Sequence, residues 1–312
     1  MVIIMIDIIM ATYNGEPYLN EQIESILKQS VQDFHIYIYD DGSSDGTLDV
    51  IQAYQKRYSD KITLSLNKEP ARGAAYNFIR AMTRHKEHYV MLCDQDDVWL
   101  PDKLALSLEK MREMEALYGY HMPILLHSDL IVVNRELEII AESYRKMMRA
   151  NYKRTALHQV VSQNIVTGCT AMYNSALAEL LTEIPNFLVM HDWWLLLIAG
   201  AMGRISFLQE KTVMYRQHGN NSVGAADIAS FSFITRKIRN SVEIRKALDD
   251  SYRQADAFLR LYGNMIPDKQ REIISRYASI PGLGKFRRMW TVLRYKHIKN
   301  GMLRMVAHLI YI

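Results

Sequence analysis

The sequence predicts an α/β chain: a doubly wound, mostly parallel sheet flanked by helices, with a helical appendage at its C-terminal end. Three observations predict it. Apolar, β-rich runs alternate with helical periodicity through the first hundred residues, the pattern of a parallel sheet wrapped by helices. The strands lead into polar loops, ATYNGEP, DDGSSDG and DQDD, and ligands of open sheets bind beyond the carboxyl ends of the strands. Beyond residue 227 only helical periodicity is left, and the charge reverses: residues 1–230 hold 21 Lys+Arg against 28 Asp+Glu, whereas residues 231–312 hold 17 against 6.

Residues 3–10 form a short apolar run rich in isoleucine, a strand that ends at ATYNGEP. Pro17 suits a first helical turn, and Leu19, Ile23, Ile26 and Leu27 then fall on one face. HIYIYDD, residues 35–41, is the second strand, closed by the turn GSSDG and followed by a helix through Leu48, Ile51, Tyr54 and Gln55. Residues 62–66 are a third strand, a helix spans about 73–84, and residues 89–93 are a fourth strand. Pro101 starts a helix to about Tyr118. Residues 125–129 and 130–134 read as strands around an exposed Asp129. TGCTAMY, from Thr167, is a strand or bend before a helix, and His191-Asp-Trp-Trp opens a helix through Ala201. Residues 205–208 and 212–216 are short strands, and Pro267 and Pro281-Gly-Leu-Gly interrupt the C-terminal helices.

The 312 residues are 49% hydrophobic and 23% charged, ordinary for a globular enzyme. Cys93 and Cys169 each sit in an apolar stretch, which favours buried thiols in a reducing compartment over a disulfide or a zinc site. The segment MVIIMIDIIMATYN lacks a basic leader and a small-residue cleavage site, so it reads as a buried strand and not a signal peptide. No apolar run reaches the roughly 18–20 residues needed to span a bilayer.

The chemistry concentrates in LCDQDDVWLPDKL, residues 92–104, where Asp94, Asp96 and Asp97 crowd the end of an apolar strand. Carboxylates at that density repel one another unless solvated or paired. A solvated acidic turn is the bland reading. The sharper one is a divalent cation: on an extended chain Asp94 and Asp96 face the same side, and Mg²⁺ or Mn²⁺ is satisfied by one or two carboxylates plus phosphate oxygens. An EF-hand starting at Asp94 fails, because Trp99 and Ala105 occupy the glycine and glutamate positions. From Asp41, DDGSSDGTLDVIQ places Gly46 correctly but ends in Gln52. A strand-to-helix turn capped by Ser43, Ser44 or Asp45 explains its serines and glycines. It leaves Asp40 and Asp41 unexplained, and a carboxylate there could accept the ring N–H of a pyrimidine. Tyr13 could stack on a base or simply pack.

The runs IMATYNGxxYL, YDDGSSDGT and DxDDxWxPxKL, in that order, resemble glycosyltransferase family 2, enzymes that use nucleotide sugars and have a GT-A fold. TGCTAM, HDWW and YRQHGNNS resemble its bacterial rhamnosyltransferase-like branch. The resemblance covers about residues 3–224 and implies a catalytic domain at 1–226 followed by a basic, helical region at 227–312. It further implies that Ala11, Thr12 and Tyr13 border the base, that Asp41 contacts base or ribose, and that Arg72, Gly73 and Asn77 line the nucleotide pocket. Asp94 and Asp96 match the D-x-D, with Asp96 the direct ligand of Mn²⁺ or Mg²⁺ and Asp94 also beside the nucleotide. Asp192 matches the catalytic carboxylate, and His218 a position that can ligate the metal or touch the diphosphate. Many relatives carry glutamate where this chain has His191, which leaves open whether His191 orients Asp192 or meets the acceptor.

Such a transfer needs a stabilised leaving group and a base for the acceptor hydroxyl, typically giving 10²–10⁴-fold. One base opposite the leaving group implies inversion. Asp192 is the candidate, although Asp before an apolar run is also a favoured helix cap. Trp193 and Trp194 could stack on an acceptor sugar, but at least one of them belongs in a core. The expected reaction extends a bacterial surface polysaccharide on a lipid-linked acceptor, with dTDP-L-rhamnose as donor on resemblance alone. The basic, aromatic C-terminal stretch reads as an anionic-membrane-binding surface, giving a cytoplasmic protein peripheral on the inner face of the membrane; packing on the acidic domain is the alternative. No recognition motif for nucleic acid accompanies the charge. A nucleotidyltransferase would carry a basic glycine-rich first loop, which ATYNGEP is not. A non-catalytic carbohydrate or calcium module would bind metal without nucleotide.

Overall fold

A computed structural model describes residues 5–67, 73–86, 89–218 and 241–312. Its strands are β1 (Ile6–Thr12), β2 (Phe34–Asp40), β3 (Ile62–Leu66), β4 (Tyr89–Asp94), β5 (Val98–Trp99), β6 (Ile124–Val133), β7 (Ile139–Ala141), β8 (Met172–Tyr173) and β9 (Arg204–Arg216). Its helices are α1 (Glu16–Leu27), α2 (Thr47–Arg57), α3 (Ala74–Met82), α4 (Lys103–Tyr118), α5 (Tyr144–Met147), α6 (Leu157–Val160), α7 (Ser175–Ala178), α8 (His191–Met202), α9 (Ser241–Tyr262), α10 (Asp268–Ala278), α11 (Lys285–Arg294) and α12 (Met302–Tyr311).

The chain forms two compact units. The first joins the sequence up to Tyr144 to Val166–Ile184 and Gly203–Asn221. It carries one sheet in the order β3-β2-β1-β4-β8-β6-β9-β5, with β7 added beside β6. β1 pairs in parallel with β2 on one side and β4 on the other. The chain therefore runs outward from β1 to β3, then crosses back to start again at β4, which puts a topological switch point at β1. Ile8, Ile9, Ile36, Ile38, Met91 and Leu92 are wholly buried, as expected of strands covered on both faces. α1 buries Leu19, Ile23 and Ile26, the face its sequence spacing marks.

Two expectations are corrected. Residues 125–129 and 130–134 are not two strands around an exposed aspartate: β6 is continuous and Asp129 is buried within it. Ser143 Oγ donates to Asp129 Oδ2 at 2.5 Å and the Leu130 N–H to Oδ1 at 3.0 Å, which compensates the buried carboxylate. Likewise the two short strands near the end of the first unit are one strand, β9. Ser128 pairs with Leu208 but Asp129 with Lys211, so Gln209 and Glu210 are absorbed as a bulge. That irregularity breaks the period-two pattern on both strands, which is why each reads as a pair of shorter ones.

The second unit comprises Arg145–Ile165, Pro185–Met202 and Ser222–Ile312. Position 226/227, the expected boundary between the catalytic domain and the basic helical region, lies outside the described residues, and α8 belongs to the unit that holds the C-terminal helices. The reason is hydrophobic. Trp194, with no exposed surface, packs its ring against Phe258 (5.6 Å) and Tyr262 (6.1 Å) of α9.

Candidate active site

The first unit gathers its polar loops at the carboxyl ends of β1, β2 and β4, where register sets Thr12 beside Asp40 and Ala11 beside Asp94. Thr12 Oγ1 donates to Asp40 Oδ2 (2.8 Å), while the N–H groups of Gly42 and Ser43 donate to Asp40 Oδ1. Asp40 is fully buried and committed to this turn. Asp41 is the carboxylate left at the edge: Asn67 Nδ2 donates to its Oδ1 (3.0 Å) and to Asn77 Oδ1 (2.9 Å), and Asn77 Nδ2 donates to the Tyr39 carbonyl. Gly73 precedes α3 at φ +84°, a conformation that favours glycine. Arg72 lies outside the described residues. Tyr13 is 55% exposed, so its ring is free of the core.

Gln95, the middle residue of D-x-D, carries no signal in the sequence alone. Its Oε1 accepts the Tyr13 N–H (2.9 Å) and its Nε2 donates to the Tyr13 carbonyl (3.0 Å), clamping the first loop to the third. A Cβ on Gly15 would lie 2.2 Å from Gln95 Oε1, so glycine is what lets the two loops close.

Sequence-distant groups meet at the D-x-D turn because β5 pairs antiparallel with β9, Val98 with Met214 and Trp99 with Val213. The turn before β5 therefore faces the residues after β9. His218 Nε2 lies 2.8 Å from Asp96 Oδ2, and its ring stacks on Tyr18 at 4.6 Å. Arg216, in the same YRQH stretch, holds the turn. Its N–H donates to Asp97 Oδ1 (3.1 Å), Nε to the Asp96 carbonyl (2.9 Å) and Nη1 to the Arg135 carbonyl (2.5 Å), and Nη2 pairs with the Glu21 carboxylate. Asp97 is wholly buried; burial first, then the neighbouring charges of Asp96 and Asp94, drives its carboxyl well above the usual range. Lys103, also wholly buried, donates Nζ to the Cys169 carbonyl (2.6 Å) and sits 4.4 Å from the Trp99 ring centre. Burial pushes its pKa down to about 8.

Asp192 belongs to the second unit, inside the first turn of α8. Its Oδ1 accepts Asn164 Nδ2 (3.0 Å) and the Trp193 N–H (2.6 Å). Asn164 carries no signal in the sequence alone. His191 is buried, and burial lowers its pKa to about 3, so the ring stays neutral. Trp193 donates Nε1 to the Val160 carbonyl (2.8 Å), and both tryptophans are buried in this unit, where packing accounts for them.

Residues 7–181 match the model of the family described as Glycosyl transferase family 2. The chain belongs to glycosyltransferase family 2. This family-2 enzyme is 29% identical over 230 residues to the dTDP-rhamnosyl transferase RfbG of Shigella flexneri, covering 69% of this chain and 74% of the relative. It is also 29% identical, over 129 residues, to WfgD of Escherichia coli, a UDP-Glc:alpha-D-GlcNAc-diphosphoundecaprenol beta-1,3-glucosyltransferase, covering 41% of this chain and 49% of that one. S. aureus TarS in complex with UDP-GlcNAc superposes with a TM-score of 0.57 at 17% identity, covering 98% of this chain and 86% of that one. The mannosyltransferase PcManGT of Pyrobaculum calidifontis, in complex with GDP-Man and Mn²⁺, gives 0.53 at 16% identity, covering 98% and 85%. The fold of the family-2 enzyme is thus GT-A.

The residues present in the family-2 enzyme fit a divalent cation. Among the described residues, one compact set of donor atoms occurs at the D-x-D turn. Asp94, Asp97 and Cys169 offer atoms within 4.8 Å of one another. Burial raises both the Asp97 carboxyl and the Cys169 thiol well above their ordinary values, which favours their protonated forms. A hard cation prefers ionised oxygen. Asp94 and Asp96, both partly exposed, and His218, 2.8 Å from Asp96, are donor types that suit Mg²⁺ or Mn²⁺; the structure brings Asp96 and His218 together but does not draw Asp94 into one compact set with them.

Proposed function

We propose that the chain is an inverting glycosyltransferase that moves L-rhamnose from dTDP-L-rhamnose to a lipid-linked glycan acceptor in bacterial surface polysaccharide synthesis, working on the cytoplasmic face of the membrane. The observation that carries the transferase chemistry is the meeting of Asp96 and His218 at 2.8 Å, on the turn that follows the carboxyl end of β4. The likeness to RfbG supports the donor. The polyprenol-linked acceptor in the printed name of WfgD supports a lipid carrier.

In this reading Ala11, Thr12 and the exposed ring of Tyr13 border the base, and Asp41, held by Asn67, accepts a hydrogen bond from base or ribose. Asn77 and Gly73 line the same pocket, and the family resemblance adds Arg72, which lies outside the described residues. Asp94, Asp96 and His218 would hold the divalent ion, which when bound would neutralise charge on the departing nucleoside diphosphate. Asp192 accepts the proton of the attacking hydroxyl, and Asn164 fixes the carboxylate's rotation. With one base and no covalent sugar–enzyme bond, the acceptor oxygen bonds to the anomeric carbon as the nucleoside diphosphate leaves, and the configuration there is inverted. His191 supports Asp192 from the buried side, and Trp193 and Trp194 brace the helix that carries it.

A donor screen tests the proposal: transfer and hydrolysis across dTDP-, UDP- and GDP-sugars, with and without Mn²⁺, using a polyprenyl-diphosphate glycan as acceptor. Metal-dependent turnover of dTDP-L-rhamnose with an inverted linkage is expected. Turnover of a UDP- or GDP-sugar in its place overturns the donor, and turnover indifferent to chelation overturns the metal role.

A further inference from the structure

We infer that α11, KFRRMWTVLR, lies in the headgroup layer of an anionic bilayer. The inference deepens the membrane placement proposed above and shares that premise, but it does not depend on the sugar or the metal. Phe286, Trp290 and Leu293 are 89%, 59% and 49% exposed. They occupy positions i, i+4 and i+7, and at about 100° per residue they fall within roughly 60° of arc. This is a row of large apolar side chains facing water. Lys285, Arg287 and Arg294, all exposed, project roughly 70–110° off the row's centre, on both sides. Thr291 and Val292 are buried on the opposite side, and Arg288 is tied down by donating to the Leu283 (2.7 Å) and Pro281 (2.6 Å) carbonyls. One face of the helix is therefore anchored in its unit, and the other offers apolar residues between two cationic margins.

That combination selects the occupant. A helix of 10 residues is about 15 Å long, half the thickness of a hydrocarbon core, and no helix among the described residues is long and apolar enough to cross a membrane. It can only lie in the plane, with Phe and Trp in the interface and Lys and Arg on lipid phosphates. No acidic residue follows Glu272 in the sequence, so nothing in this stretch balances the cations. A second copy of the chain meeting it through the same face would set like charges against one another. α12 serves as contrast: Met302, Val306 and Ile310 are exposed along it, but no exposed Lys or Arg lies within it. The apolar row alone recurs in α12; the paired cationic margins distinguish α11 from it.

The full-length protein carries its own reporter. Of its four tryptophans, Trp99, Trp193 and Trp194 are at most 8% exposed and Trp290 is 59% exposed. With phosphatidylcholine–phosphatidylglycerol vesicles, the protein is expected to float, its emission to shift to the blue, and acrylamide quenching to fall. Pure phosphatidylcholine should produce none of this, and high salt should reverse it. Lys285, Arg287 and Arg294 changed together to Gln should lower partitioning on the order of 100-fold. Phe286→Ser with Trp290→Ser, followed by flotation alone, should lower it at least tenfold; unchanged melting shows that either variant is folded. Equal flotation of wild type and both variants overturns the inference. So does a blue shift that grows with protein concentration and no lipid, which assigns the face to self-association, or retention by polyglutamate without any vesicle shift, which assigns it to an acidic protein. Asp96→Asn separates the two readings: it should float like wild type whether or not the donor assignment survives.

Discussion

Replacing Arg216 by Met tests whether the D-x-D turn is held from beneath. Methionine keeps much of the apolar stem's volume and deletes the guanidinium. Three hydrogen bonds go, to the Asp96 carbonyl, the Arg135 carbonyl and the Glu21 carboxylate. Glu21 is 54% exposed, so its carboxylate regains water and its loss is that of a surface partner, about 0–1 kcal/mol. The Asp96 carbonyl loses a charge-assisted bond of about 1.5–3 kcal/mol, while the Arg135 carbonyl, on an exposed residue, recovers part of its own in water. The main-chain bond from residue 216 to Asp97 is untouched. The sum is about 2–3 kcal/mol, or roughly 5–10 °C in Tm for a unit of this size. Loosening the turn moves Asp96 relative to His218, and losing such a supporting contact typically lowers metal affinity about 10–100-fold. Denaturant melts give the stability and calorimetry with MnCl₂ the affinity, while Glu21→Gln should change either very little. If Arg216→Met loses the expected stability yet binds Mn²⁺ and transfers sugar like wild type, the turn does not need this support and the reasoning fails.

Asp192→Asn keeps an oxygen to accept the Trp193 N–H, so it should melt like wild type, bind nucleotide normally and lose 10²–10⁴-fold in transfer rate; full turnover removes Asp192 as the base. Asp96→Asn and His218→Ala should each weaken Mn²⁺ binding more than tenfold by calorimetry, and an unchanged isotherm in both would exclude the pair as ligands. Gly15→Ala puts a Cβ against Gln95 Oε1, a flexible side-chain end, so stability should change by about 1 kcal/mol or less while KM for the donor rises as the Tyr13 clamp opens. His127 is buried against Phe207, and burial drives its pKa down to about 3 from an unfolded value near 6.5. It binds a proton only when unfolded across that window, so its contribution is full above about pH 6.5 and falls on acidification by up to ~1.4 kcal/mol per unit. His127→Leu should flatten the stability profile between about pH 6 and 4, and an identical profile would show that the ring is not held neutral.

The early strands and helices were legible because their signals are local. A strand covered on both faces must be continuously apolar, and the Leu19–Ile23–Ile26 spacing marks one helical face whatever surrounds it. The D-x-D, the DDGSSDG turn and the later YRQH stretch could be read as chemistry because those residue types are costly to place at a strand's end without a use. Composition could not divide Asp40 from Asp41. One is spent on Thr12, Gly42 and Ser43 and the other left at the edge, a distinction made by which backbone donors reach each carboxylate. Asp129 is buried against its local pattern for the same reason: a buried carboxylate is tolerated only through partners such as Ser143, which no local pattern reveals. Pairing between β5 and β9 brought His218 to Asp96 across more than a hundred residues and made Arg216 the support of both. The packing of Trp194 on Phe258 drew α8 into the C-terminal unit. Periodicity and residue chemistry act over a few neighbours and are written along the chain; pairing, burial and the satisfaction of buried polar atoms depend on what arrives from elsewhere, and only the folded structure decides them.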